Sequence, residues 1–206
     1  MKKQSLIFLG SEGNNYFKRN QSVEIKKDIP FLEIEKIIRK KGNFKNLNIL
    51  EIGCSSGLRL SKIQKKYKCN CYGLEPSKLA IKKNLNKKVI IVNGTADKIK
   101  FPKNKFDIIF FGFCLYVVDL EDLFKIADET NRVIKKNGHI IIWDFYSKKF
   151  KRVKYKHDKR VFSIKYKFYK IFTSHPYYKL EKSNKFNYLN KKNFKTSIDV
   201  IERKEI

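Results

Sequence analysis

Asn48-Ile49-Leu50-Glu51-Ile52-Gly53-Cys54-Ser55-Ser56-Gly57-Leu58 decides the fold of this 206-residue chain. A short apolar run ends at a glycine, small residues follow, and Leu58 to Tyr67 then carry a helix-compatible pattern. Strand, small-residue turn and helix in that order open a βαβ unit, which builds a mostly parallel sheet covered by helices.

The pattern repeats downstream. Cys71 to Leu74 forms a second strand ending in Glu75, and Ser77 caps a helix predicted to run to about Leu85. Val89 to Val92 is a third strand, closed by Asn93-Gly94. Phe106 to Phe111 is a continuous apolar run suited to a central strand. Asp119 is expected to cap the next helix, with Leu120, Leu123, Phe124, Ala127 and Ile134 on one stripe. Lys135 and Lys136 fall in its last turn and Gly138 is its left-handed stop. Ile140 to Trp143 is a fifth strand. Upstream, Pro30 opens an amphipathic helix with Phe31, Ile34, Ile37 and Ile38, ending at Gly42. Residues 1–27 are polar, Asn-rich and without a clear pattern. Ile198 to Arg203 reads as an edge strand. The organisation is therefore one domain: an arm and covering helix (1–44), a core (45–146) and a C-terminal appendage (147–206).

The chain is 42% apolar, enough for an ordinary core, which excludes collagen, coiled coil and wholesale disorder. It carries 48 Lys+Arg against 20 Asp+Glu, a net +28. Such an excess points to an anionic partner, but only seven of these cations are Arg, the residue suited to bidentate phosphate and base recognition. The companion abundance of Asn, Ile, Phe and Tyr fits coding bias in an AT-rich genome. Four cysteines without a C-x-x-C pair suit a reduced, cytoplasmic protein. The longest apolar run, Ile108 to Val118, is too short to span a bilayer. No His/Cys/Asp cluster has metal-ligand spacing, so no metal is expected, and His139 reads as structural.

The chemistry lies at the carboxyl ends of the strands, where open α/β sheets bind ligands. The turn at Gly53 and Gly57 permits close approach to the backbone but lacks the G-x-G-x-x-G spacing of a dinucleotide site. Glu51 beside it is expected to repel phosphates and attract an ammonium or sulfonium. Glu75 is placed to accept from both hydroxyls of a ribose. After the third strand, Asp97 is placed to accept from an adenine amine, with apolar neighbours at the ring. Together these describe a cationic nucleoside.

These motifs resemble the class I S-adenosylmethionine-dependent methyltransferases over roughly residues 45–146. Glu51-Ile52-Gly53-Cys54-Ser55-Ser56-Gly57 resembles the first glycine motif, Glu75 the ribose acid and Ala96-Asp97 the adenine loop. Phe106-Asp107-Ile108-Ile109 resembles the fourth strand, and Arg132 to His139 the approach to the fifth. Ser55 stands where the family usually has Gly. The resemblance implies a doubly wound, Rossmann-like seven-stranded sheet with an antiparallel last strand, S-adenosyl-L-methionine as cofactor, and methyl transfer. The cofactor residues implied are Glu51, Gly53, Cys54, Ser55, Gly57, Glu75, Pro76, Ala96, Asp97, Phe111 and Gly112.

Methyl transfer is an in-line displacement that disperses positive charge, so alignment and exclusion of water suffice unless the nucleophile must lose a proton. Tyr116 is a candidate for orienting the acceptor, or else packs under the next helix. His157 and His175 are candidate bases, or else solvated. Tyr16-Phe17 is either a lid over the cofactor or packing at the sheet edge.

Acceptor recognition is expected between Phe145 and Pro176, within a C-terminal segment of 19 Lys+Arg against 5 Asp+Glu. Its interleaved cations and aromatics suit a small-molecule or carbohydrate-like acceptor, or alternatively RNA. No Asn-Pro-Pro-Tyr-like motif and no RNA-binding appendage is present, which favours the first. A non-catalytic cofactor-binding partner subunit and a dehydrogenase with an aberrant fingerprint are the remaining alternatives. The sequence does not fix the oligomeric state.

Overall fold

A computed structural model describes residues 3–20, 28–187 and 194–205. Strands β1 (Asn48–Ile52), β2 (Asn70–Glu75), β3 (Val89–Asn93), β4 (Phe106–Gly112) and β5 (Ile134–Phe145) are parallel. β6 (Lys151–Lys154) and β7 (Phe162–Lys165) pair separately as an antiparallel hairpin. β8 (Tyr178–Asn187) and β9 (Lys195–Arg203) complete a seven-stranded sheet of order β3-β2-β1-β4-β5-β9-β8. Only β9, the last in sequence, runs against the others. This is the expected Rossmann-like α/β sheet. The strand over Ile198–Arg203 is not at the edge, however. β8, which the sequence pattern did not indicate, covers it and takes the edge with mostly polar residues.

The helices are α1 (Gln4–Ile7), α2 (Gly13–Asn20), α3 (Ile29–Lys41), α4 (Leu58–Tyr67), α5 (Lys78–Lys82), α6 (Leu123–Val133) and α7 (Lys170–Thr173). Inward residues of β1 and β4 alternate between two cores. Leu50, Ile52, Ile109 and Phe111 pack on one face, and Ile49, Ile108 and Phe110 pack against α3 and α4 on the other.

Three expectations about the helices change. Ser77 does cap α5, accepting from Ala80 N at 3.0 Å, but the helix stops at Lys82 and leaves Leu85 exposed. Asp119 makes no side-chain cap, and a 3-10 turn (Leu120–Asp122) precedes α6, with Leu120 and Phe124 turned to solvent. α6 ends at Val133, because Ile134 already pairs with Phe106 in the sheet. The left-handed residue there is Asn137 (φ 57°), not Gly138. Lys135 and Lys136 therefore belong to β5. Lys135 Nζ lies 2.8 Å from Asp107 Oδ2, which also accepts from Asn48 N at 2.9 Å and ties the starts of three strands together.

Among the described residues, no helix is long and apolar enough to cross a membrane. The four cysteines are free.

Candidate functional site

At the carboxyl ends of β1, β2 and β4 lies a cavity open on one side, where open α/β sheets bind their ligands. Its floor is the turn after β1. Gly53 (φ 75°), Ser55 (φ 54°) and Gly57 (φ 74°) are all left-handed, alternating with ordinary residues. Ser55 takes the strained conformation that glycine would adopt freely, at a cost of about 1 kcal/mol, and its N–H donates to Glu75 Oε2 at 2.8 Å. Glu75 Oε1 accepts from Ser77 N at 2.9 Å. Glu75 is thus a buried carboxylate held by two backbone donors at the cavity wall, with lone pairs to spare for a ligand. Burial pushes its pKa up to about 7 against those two N–H groups.

Of the predicted cofactor residues, Gly53, Ser55, Glu75, Pro76, Ala96, Asp97 and Gly112 line this cavity. Glu51, Cys54, Gly57 and Phe111 do not. Glu51, expected to offer its charge to a ligand, points instead into the α3–α4 side and bonds Arg59. The Arg59 Nε is 2.9 and 3.1 Å from the two oxygens of Asp28, which caps α3. The guanidinium carbon lies 4.8 Å from the Phe110 ring centre. Burial raises Glu51 to about 7, opposed by Arg59. Cys54 is buried under the turn, where a Cβ on Gly73 would sit 2.4 Å from its sulfur. Phe111 belongs to the core.

The roof comes from the first twenty residues. Gly13, Tyr16 and Phe17 line the cavity, as do Ser5 and Phe8. Tyr16 and Phe17 thus stand over the cavity, a position open to both the lid and the packing readings. A Cβ on Gly13 would lie 2.5 Å from Phe8 O and 3.2 Å from Ser77 N, so only glycine lets α2 approach the β2–α5 turn so closely. Asn14 Oδ1 accepts from Ser77 Oγ at 2.8 Å and Leu79 N at 3.1 Å. Buried Gln4 donates to Val117 O at 2.9 Å through its side chain and to Asp119 Oδ2 at 2.7 Å through its backbone, and accepts from Phe162 N. Buried Glu12 accepts from Arg19 and from the Tyr155 hydroxyl. Nothing in the polar composition of residues 1–27 announces this roof. Its signals are single buried polar residues whose partners are far off in sequence.

The remaining wall is the segment after β4, including Phe113, Cys114, Val117 and Val118. Asp144, missed in the sequence, holds it: its Oδ2 accepts from Leu115 N at 2.9 Å and Tyr116 N at 3.3 Å. Burial raises Asp144 to about 7 against its N–H donors. Tyr116 lies behind this wall rather than in it. It is buried, packed on Phe145 and Tyr155, and its hydroxyl bonds Tyr16. Burial lifts its pKa well above the ordinary phenol value. His157 and His175 are exposed and outside the cavity. Burial, then Arg19, lowers the His157 pKa.

The charge of the lining is opposite to that of the chain. Glu75, Asp97, Asp119 and Asp122 face it, with no Lys or Arg among the described lining residues. Asp119 and Asp122 are engaged by Gln4 N and Lys3 Nζ. Neither Glu75 nor Asp97 is ion-paired among the described residues. A buried acid backed only by neutral donors suits a cationic ligand with hydroxyls.

Residues 50–142 match the sequence model of the methyltransferase domain family. Over that stretch, a little under half of its length, the chain is similar to the methyltransferases. No curated protein matches the sequence. Solved structures share the fold at low identity. The Burkholderia thailandensis 1,6-didemethyltoxoflavin-N1-methyltransferase, with bound 1,6-didemethyltoxoflavin and S-adenosylhomocysteine, superposes with a TM-score of 0.76 at 10% identity, covering 97% of this chain and 89% of that one. A chain of the complex between the Haloferax volcanii Trm112 methyltransferase activator and the putative methyltransferase gives 0.72 at 12%, covering 96% and 98%. The S-adenosylmethionine-dependent methyltransferase from Mesorhizobium loti gives 0.64 at 11%, covering 83% and 97%.

Proposed function

We propose that this enzyme methylates a small-molecule or carbohydrate-like acceptor bound beneath the N-terminal arm. The carrying observation is the cavity lining, acidic and, among the described residues, free of Lys and Arg in a chain of net charge +28. A polyanionic acceptor reaching that cavity would meet carboxylates. Three aromatics of the C-terminal segment, Tyr155, Phe168 and Tyr178, are buried in the core and offer no stacking face. Phe150 and Tyr177 are exposed and carry the RNA alternative into the test below. The Burkholderia neighbour, whose own ligand is a small heterocycle, aligns over nearly all of this chain.

In this reading Glu75 holds the ribose hydroxyls, Asp97 beside Ala96 takes the adenine amine, and the Gly53–Ser55 turn and Pro76 shape the donor's seat. S-adenosylmethionine would supply an electrophilic methyl carbon, and Gly112, whose Cβ position is taken up by the Phe110 ring at 2.9 Å, presents only backbone to the cavity. Phe113, Val117 and Phe17 exclude water, and no residue at the cavity is assigned as a base. The arm and the C-terminal segment act as parts of the same unit as the core, since Gln4 and Glu12 bond to residues beyond β6. Incubation with methyl-labelled cofactor and fractionated cell extract tests the proposal. Label is expected in a low-mass fraction; label confined to RNA would overturn it and establish the alternative.

A further inference from the structure

Far from the cavity, near the amino ends of the central strands, three residues remote in sequence converge. His139 of β5 stands opposite Glu202 of the antiparallel β9, so their side chains share a face of the sheet. That face is the α3 side, as Ile141 and Val200, two residues away on each strand, pack there. Lys179 of β8 pairs with Glu202 and Leu180 with Ile201 of the opposite face, so alternation puts Glu181 on the α3 side, against His139. The pairing of β8 with β9 slips between Leu180 and Lys182, so Lys182 follows onto the same side and points to Glu33 of α3. Placing two successive side chains on one face is a consequence of a bulge.

Donor atoms of His139, Glu181 and Glu202 all lie within 4.8 Å of one another. His139 is 3% exposed, and both its ring nitrogens are buried without a hydrogen-bond partner. One of them, Nε2, is 3.4 Å from Glu181 Oε2. Two donors each about 2.1 Å from one tetrahedral ion stand about 3.4 Å apart. Two cations border the group. Lys40 Nζ lies 3.7 Å from Glu181 Oε1, the oxygen other than the one facing the imidazole, and so orients the carboxylate without occupying its inner lone pairs. Lys41 Nζ is drawn off to Asn137 O at 2.8 Å.

We propose that His139, Glu181 and Glu202 bind a divalent transition-metal ion of the zinc type, clamping β5, β9 and the edge strand β8 together. One imidazole and two carboxylates suit zinc, cobalt or manganese better than the all-oxygen preference of magnesium. The three lie on three strands, so no sequence spacing shows them.

Protein stripped with a chelator and titrated with Co2+ tests this by visible absorption and by the shift in Tm. One equivalent is expected to give an absorption band and to raise Tm, with binding at least about tenfold weaker in Glu181→Gln and in Glu202→Gln. His175→Ala, which removes an exposed histidine elsewhere, is expected to bind like the parent. Unchanged S-adenosylhomocysteine binding verifies that the variants are folded. Absence of the band at millimolar Co2+, or a band surviving both glutamine variants in folded protein, would overturn the proposal.

Discussion

Glu51 and Glu75 read alike in the sequence, as acids at the ends of neighbouring parallel strands, yet they occupy opposite electrostatic situations. Glu51 has a full positive charge against it, and Arg59 in turn binds Asp28, so the cluster fastens α3 and α4 to β1. Glu75 has only two backbone N–H groups. The first acid is consumed by the scaffold and the second is left available. A strand-end carboxylate is therefore a ligand group only where no side-chain cation neutralises it.

The largest effect is expected on the scaffold side. Arg59→Met leaves Glu51 buried without its counter-charge and should cost about 3–5 kcal/mol in urea unfolding at pH 8. Adding Glu51→Gln should recover most of that loss. A small loss in the single variant would mean that Arg59 is not what balances Glu51.

On the ligand side, Glu75→Gln should weaken S-adenosylhomocysteine binding by about 1.5–3 kcal/mol in calorimetry. Because Glu75 titrates at about 7, parent affinity should rise between pH 6 and 8, and the glutamine variant should lose that rise. Stability of the unliganded protein should move the other way. The folded state keeps protons on Glu51, Glu75 and Asp144 up to about pH 7, where the unfolded chain has released them at its ordinary carboxylate values. The urea midpoint should accordingly fall as pH rises from about 4.5 to 7.

A smaller effect tests whether the ligand-side acid depends on its roof. Asn14→Ala removes the hydrogen bonds to Ser77 and Leu79 and should cost about 1–2 kcal/mol. It should also speed proteolysis within residues 3–20 and weaken S-adenosylhomocysteine binding. The smallest effect is on the turn that serves Glu75. Ser55→Gly relieves the left-handed serine and should stabilise by about 0.5–1 kcal/mol, with ligand affinity unchanged.

The sheet was legible because period and punctuation agree at β1 and β4, where buried apolar runs end at Gly53 and Gly112. β8 escaped because an edge strand exposed on one side has few apolar residues to mark it. The end of α6 escaped because Ile134 serves a strand register that no local pattern reveals. The position of Glu75 and Asp97 at the cavity was legible because each stands at or after the end of a strand. Glu51 misled because its partner on the next helix is one lysine-rich turn among many, and Arg59 looked like any other surface cation. Gln4, Glu12 and Asp144 matter through contacts with residues that the sequence holds 28 to 158 positions away.

The cavity's upper wall is made of α1 and α2, so a donor seated as proposed would share one equilibrium with the docking of those helices. Whatever conformational freedom the arm gives up on docking is deducted from the apparent affinity for the methyl donor. Conversely, each bound donor raises the fraction of molecules whose N-terminal segment is shielded, which makes affinity tunable by changes that never touch the ligand.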